Sequence, residues 1–239
     1  MIAFSLLWVL ILSSGALAEP CESVRHRDHM FTVCTADLDV HEISLRHSDA
    51  KAELIGDFRR LTETTGAPVL FAMNAGMYHP DRAPVGLYVE DGKQVTPIVT
   101  REGPGNFAML PNGVFCLSED RARVVESRAF AADPPACSDA TQSGPMLVID
   151  GALHPRFLPN STFRNIRNGV GVQADGRTVH FVISDDAVTF HELATLFRDR
   201  LNAPNALYFD GRVSRLHAPG LDRSDFGLPM GPIVAVTER

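Results

Sequence analysis

One short segment of this chain brings a carboxylate and a hydroxyl together. The apolar run Ala206-Leu207-Tyr208-Phe209 leads straight into Asp210 and Gly211, and Ser214 follows. Such a run reads as a buried strand. The Asp-Gly pair reads as a sharp turn, because Gly tolerates positive φ and Asp bonds its own backbone. A carboxylate at a strand end can activate water or face a developing positive charge. The same dipeptide occurs at Asp91-Gly92, Asp150-Gly151 and Asp175-Gly176, where hairpin turns suffice. The dipeptide alone therefore does not separate a catalyst from a turn.

Other polar groups cluster at the ends of apolar runs. Asn74 leaves the run Val69 to Met73 and precedes Ala75 and Gly76. Gly76 leaves space for a ligand, and Asn74 offers both a donor and an acceptor. The competing reading is a loop in which Asn74 bonds the backbone. Gln142, Ser143 and Gly144 enter the run Met146 to Ile149; they suit either sugar hydroxyls or a tied-down loop. Arg164 and Arg167 precede the run beginning at Gly169 and form a candidate anion clamp, since the guanidinium fork fits phosphate. Solvated surface is the alternative, above all for Arg164. Asp185 and Asp186 end another strand, where paired acids serve acid–base work, a cation or a simple turn.

The elements that must hold these groups are short and numerous. Strands are expected at His29 to Thr35, Val69 to Met73, Val85 to Glu90, Gln94 to Val99 and Phe107 to Leu110. More follow at Gly113 to Leu117, Pro145 to Ile149, Gly169 to Gln173, Val179 to Ser184, Ala206 to Phe209 and Ile233 to Thr237. Asp-Gly and Asn112-Gly113 turns favour antiparallel hairpins. Two helices interrupt the strands. Ser48 is the expected cap of the first, whose Leu54, Ile55, Phe58 and Leu61 share a face. Thr189 and Glu192 form a capping box for the second. The fold class is α+β: one β-rich domain of mainly antiparallel or mixed sheet with a few flanking helices.

Composition narrows the functions. The 45% hydrophobic and 21% charged content is that of a globular protein. A net charge of −7 argues against a general binder of nucleic acid or anionic membrane. No H-x-x-x-H pattern, G-x-S-x-G elbow or P-loop occurs, and no cofactor or metal is expected, although the paired acids leave a divalent ion open. Residues Ile2 to Leu12 are apolar apart from Ser5, and Ala16-Leu17-Ala18 follows, as in a secretory signal peptide cut after Ala18. The expected domain spans 19–239, in a periplasmic or secreted protein with no stable membrane insertion after cleavage. Cys21, Cys34, Cys116 and Cys137 allow three disulfide pairings. Cys21–Cys34 and Cys116–Cys137 are favoured because each closes a local loop.

In this order, these pieces resemble the phosphodiester glycosidase family, in its compact exported bacterial branch, from about Val69 to the C-terminus. The family's Asn-Gly-Gly-Phe segment is matched by Asn74-Ala75-Gly76-Met77, and its Ser-Gly-x-Pro element by the shorter Ser143-Gly144-Pro145. Its Arg-x-x-x-Gly element is matched by Arg167 and Gly171, its later acid by Asp185, and its helix-start Thr by Thr189. Its Asp-Gly-Gly-Gly-Ser signature corresponds to Asp210-Gly211-Arg212-Val213-Ser214. Arg212 and Val213 stand where the family has glycine, as does Ala75; they narrow the space, and Arg212 adds a cation.

The resemblance implies hydrolysis of a sugar-1-phosphodiester on an envelope or extracellular glycan-phosphate. Asp210 and Asp185 are the implied carboxylates. The implied substrate-binding set is Asn74, Gly76, Gln142, Ser143, Gly144, Arg164, Arg167, Thr189, Gly211 and Ser214. The rival class is a non-catalytic module that binds glycans or anionic polymers. Exported protein is expected to begin at Glu19 and to weigh four protons less than its fully reduced form by intact-mass analysis. Four free thiols in that material would refute the disulfides.

Overall fold

A computed structural model describes residues 19–239; the expected signal peptide lies outside the described residues. The strands are β1 (Cys21–His26), β2 (His29–Asp37), β3 (His41–Arg46), β4 (Val69–Asn74), β5 (Tyr88–Glu90), β6 (Lys93–Thr96), β7 (Gly113–Leu117) and β8 (Ala122–Glu126). They continue as β9 (Asp139–Ser143), β10 (Met146–Ile149), β11 (Ala152–Leu153), β12 (Asn168–Val172), β13 (Thr178–Ser184), β14 (Asn205–Asp210), β15 (Leu216–Ala218), β16 (Arg223–Ser224) and β17 (Ile233–Glu238). They form three antiparallel sheets. The first has the order β1-β2-β13-β12-β14-β10-β11, the second β16-β15-β4-β17-β3, and the third β6-β5-β9-β7-β8. The β-rich architecture expected from the sequence is the one observed.

The sheets meet over a shared apolar core, in which aromatic rings make the joints. Phe71 of the second sheet lies 5.6 Å from Phe181 of the first, centroid to centroid. Phe115 of the third lies 5.8 Å from Phe181 and 6.4 Å from Phe209. All four are fully buried. Burial of such rings is the main driving force for closing the sheets together. Both favoured disulfides are present. Cys21 and Cys34 sit directly opposite each other in the β1–β2 ladder. Cys116–Cys137 ties β7 to the loop before β9.

Local signals explain where the elements begin and stop. Asp91-Gly92 and Asp150-Gly151 have positive φ at both residues and close the hairpins β5–β6 and β10–β11, the backbone demanded by two-residue turns. The first helix differs from expectation. It is α1 (Phe58–Thr64), capped by Asp57, whose carboxylate accepts from the Arg60 amide at 2.7 Å. Ser48 does not cap it, because Gly56 in the left-handed region interrupts the run and the Asp49 side chain folds residues 49–53 into a turn. Phe107 to Leu110 is a turn rather than a strand; Asn112 donates to the Phe107 carbonyl and holds it bent. Helix α2 (Ser127–Ala132) was not foreseen; Glu126 caps it with its own carboxylate. The Thr189–Glu192 capping box opens α3 (Phe190–Thr195), which runs on as a π-helical segment, Leu196–Arg200.

Glu90, at the end of β5, gives the fold a pH dependence. Burial pushes its carboxyl from an ordinary 4.5 to about 7, opposed in part by the His47 amide. The folded state then holds a proton that the unfolded chain has lost. Stability is therefore expected to fall as pH rises from about 4.5 to about 7 and to level off above that. Glu90→Gln should remove this slope, gaining on the wild type between pH 5 and pH 8 in denaturant titrations. An unchanged difference between variant and wild type at the two pH values would contradict it.

Candidate active site

The ends of strands from all three sheets converge on a buried polar knot. Asn74 ends β4 and Asn168 begins β12; both side chains are fully buried. The Asn168 amide nitrogen donates to the Asn74 backbone carbonyl at 2.9 Å and to its side-chain oxygen at 3.0 Å. The Asn168 oxygen accepts from the Asp210 amide at 3.1 Å and from the Ser214 hydroxyl at 3.3 Å. Asn74 Oδ1 also accepts from the Arg215 amide at 2.9 Å. From β9, the Ser143 hydroxyl donates to the Phe209 carbonyl at 3.0 Å and the Thr141 hydroxyl to the Ala75 carbonyl at 2.8 Å. Buried polar groups must be paired in this way, or each costs about 1–3 kcal/mol.

This knot fixes the Asp210 carboxylate. Asp210 is the last residue of β14 and pairs with Asn168 in the ladder. Its Oδ1 accepts from the Gly211 amide at 2.6 Å and the Arg212 amide at 2.8 Å. Burial raises the Asp210 carboxyl above the ordinary range, while the amides of Arg212, Gly211 and Val213 oppose the rise. One oxygen is thus held by the turn, and Oδ2 takes no hydrogen bond from a described residue. Unlike the hairpin pairs, Asp210 and Gly211 have no positive φ. Gly211 serves space instead: a Cβ there would run into the Tyr208 hydroxyl. That hydroxyl accepts from Arg167 at 3.3 Å.

The other expected residues fall into separate clusters. Arg167 is fully buried: Nε donates to the Val188 carbonyl at 2.8 Å and Nη2 to the Phe163 carbonyl at 3.3 Å. The guanidinium lies 3.8 Å from the Phe190 ring centroid, a stacked cation–π arrangement. Arg164 makes a two-pronged ion pair with Glu192, at 2.8 and 2.7 Å, and Glu192 accepts from the Thr189 amide. Arg164 and Arg167 thus point to different partners and do not form one clamp. The Gln142 side chain joins the backbones of Leu87 and Val99. Gly144 packs against Asn112, and Gly76 faces the Thr141 hydroxyl. Asp185 accepts from Thr32 at 3.1 Å and pairs with Arg223 at 2.7 Å, so its charge is already engaged.

A cleft of about 560 Å³ opens beside the knot. Asp185, Arg212, Ser214, Arg215 and Arg223 contribute to its walls, with Ile166 and Phe226. Asp225 also lines it, and Arg223 is paired with both Asp185 and Asp225, so among the described residues Arg212 and Arg215 are left as the unpaired charges that make the recess cationic. The roles of Asn168, Tyr208 and Arg215 were not anticipated from the sequence. Asn168 carries the same signal as Asn74, an amide at the end of an apolar run. Arg215 carries none. Among the described residues, no group of three or more His, Cys, Asp or Glu side chains is placed to hold a metal.

The family model for phosphodiester glycosidase matches residues 67–216. The chain is 39% identical over 152 residues to the Escherichia coli (strain K12) protein YigE, covering 64% of this chain and 59% of that one. It therefore spans about three fifths of the length of that curated relative. Among solved structures, the catalytic domain of zebrafish N-acetylglucosamine-1-phosphodiester alpha-N-acetylglucosaminidase, auto-inhibited by its pro-peptide, shares the fold. The TM-score is 0.60 at 13% identity, over 92% of this chain and 82% of that one.

The Gly211–Tyr208 contact yields a direct test. Gly211→Ala is expected to cost about 1–3 kcal/mol, the usual penalty for overpacking. Tyr208→Phe removes the obstructing oxygen, so the double variant should lose less than the sum of the two single losses in denaturant unfolding. Strict additivity would mean that the hydroxyl is not what excludes a side chain at 211.

Proposed function

The chain belongs to the phosphodiester glycosidase family, and from that membership we propose that it hydrolyses a sugar-1-phosphodiester between the anomeric carbon and the phosphate oxygen. The observation that carries the reading is the Asp210 carboxylate, held at a buried strand end beside a cationic cleft. Water adds its hydroxyl to the anomeric carbon, and the phosphate monoester departs with the bonding electron pair. A phosphate is a good leaving anion, so its protonation is the lesser task. The greater task is to stabilise positive charge on the sugar and to orient water.

In this proposal Asp210 Oδ2 faces the anomeric carbon and takes the proton of the attacking water, while Oδ1 stays fixed by the turn. Asn74, Asn168, Ser143 and Ser214 hold that carboxylate and the adjoining backbone in place. Asp185 acts as the second carboxylate by fixing Arg223 on the cleft wall. Arg167 supports the Tyr208 phenol behind Gly211. The substrate is a glycan-phosphate outside the cytoplasm, a setting supported by the two disulfides. A second reading, a glycan- or polyanion-binding module without turnover, draws on the bulk and charge of exposed Arg212 next to Asp210.

Release of free sugar from a panel of sugar-1-phosphodiesters separates the two readings, since a binding module gives none. Asp210→Asn is expected to lower turnover by about 10²-fold or more, within the range for lost general-base catalysis. Its melting temperature should change little, because an amide oxygen can still accept from residues 211 and 212. Asp175, whose carboxylate likewise binds its own turn at Arg177 and Thr178, supplies the control; Asp175→Asn should retain turnover. Full activity in Asp210→Asn would remove Asp210 from the mechanism.

A further inference from the structure

Arg215 directly precedes β15, and its guanidinium is a cation without a counterpart. The residue is 6% exposed. Its backbone amide is bonded to Asn74, but its side chain makes no hydrogen bond or ion pair with any described residue. It nonetheless lines the cleft, together with Arg212, Ser214, Arg223 and Phe226. Gly227 lies across the guanidinium: a Cβ at 227 would stand 3.2 Å from its central carbon and from Nη2. The backbone there has φ +153°, which favours glycine and lets the chain pass over the guanidinium.

The acids near Arg215 are committed elsewhere. Asp225 accepts from Arg223 Nε and Nη2 and from the Leu216 amide. Asp57 caps α1. The Tyr78 hydroxyl donates to the Pro229 carbonyl at 2.8 Å. None of its nitrogens is sealed from solvent without a partner, so the Arg215 guanidinium keeps its donors open toward the cleft. A guanidinium with free donors on a cleft wall can take an anion from outside through charge-assisted hydrogen bonds. Arg167 offers a contrast, because backbone carbonyls, a phenol and aromatic rings already occupy its surroundings.

We propose that Arg215 is the phosphate-binding residue of the cleft, with its open guanidinium edge gripping the non-bridging oxygens of a phosphodiester. The assignment rests on the hydrolase reading for the identity of the phosphate, but the anion site itself does not. Ser214 and Arg212, both on the cleft wall, flank the bound phosphate. Phe226, which is 96% exposed, stands on the same wall and suits the carbon-bearing arm beyond the phosphate.

Diethyl phosphate is the probe, titrated into the full chain and followed by phosphorus NMR and by melting temperature. Wild type should bind it, and Arg215→Gln should bind about 10-fold more weakly or worse, the effect of losing charge-assisted contacts. Arg215→Lys should recover part of the affinity, and Arg200→Gln, on the exposed end of the π segment, should match wild type. Without ligand, Arg215→Gln should melt close to wild type, because the side chain makes no hydrogen bond or ion pair that the change would remove. Diethyl phosphate should raise the melting temperature of wild type and of Arg200→Gln, but not that of Arg215→Gln. A variant that melts lower and binds equally well would make Arg215 a structural residue and overturn the proposal. Sugar release by wild type with unchanged KM in Arg215→Gln would reject the site and leave the hydrolase standing. Arg215-dependent phosphate binding without sugar release from any substrate would do the reverse.

Discussion

Two buried amides, Asn74 and Asn168, hold the end of the second sheet against the end of the first, and everything at the candidate site is hung from that contact. Apolar packing brings the sheets together but carries no directional information. The paired amides do, because each donor needs one acceptor at one angle. Their remaining capacity sets the start of three further features: the Asp210 amide, the Ser214 hydroxyl and the Arg215 amide. The stretch from Asp210 to Arg215 is therefore placed by side chains on two other strands together with its own turn bonds.

The arginines around this frame divide by what surrounds them. Arg164 is matched to a carboxylate on a helix cap. Arg223 is matched to two aspartates. Arg167 is stacked and capped by carbonyls deep beneath Phe163 and Phe190. Each of these charges is compensated within the protein. Arg215 is largely covered along its length, yet its guanidinium nitrogens open onto the cleft without a partner among the described residues, and this separates architecture from recognition more cleanly than position in the chain does. The contrast follows from what each guanidinium meets, partners inside the protein in three cases and the open cleft in the fourth.

Features made by neighbours in the chain were legible in the sequence. The Thr189–Glu192 capping box needs only its own spacing, and the hairpins at Asp91-Gly92 and Asp150-Gly151 need only a backbone that Gly and Asp accept. The disulfides close short loops for the same reason. What escaped depends on residues far apart. Ser48 has the chemistry of a cap, but Gly56 breaks the run and hands the task to Asp57. Asn168 and Asn74 are 94 residues apart and acquire their role only when two sheets meet. The isolation of Arg215 is a property of what fails to approach it, and no local pattern encodes that. Its place after Asp210 suggests a conformational device in Gly211, whereas its missing side chain is what matters.

The bond between Cys21 and Cys34 has a consequence for handling the protein. It joins opposed residues at the first position of β1, the outermost strand of the largest sheet. An edge strand at the start of a domain is ordinarily the first to peel away and the readiest to pair with a stranger. Here the outermost strand is welded to its neighbour at its leading residue. Peptide tags, fluorophores or surface tethers attached just upstream can transmit force or crowding only as far as that weld. The site, which lies across two more strands, is separated from whatever the N-terminus carries by that bond while it is oxidised, and by the β1–β2 ladder alone once it is reduced.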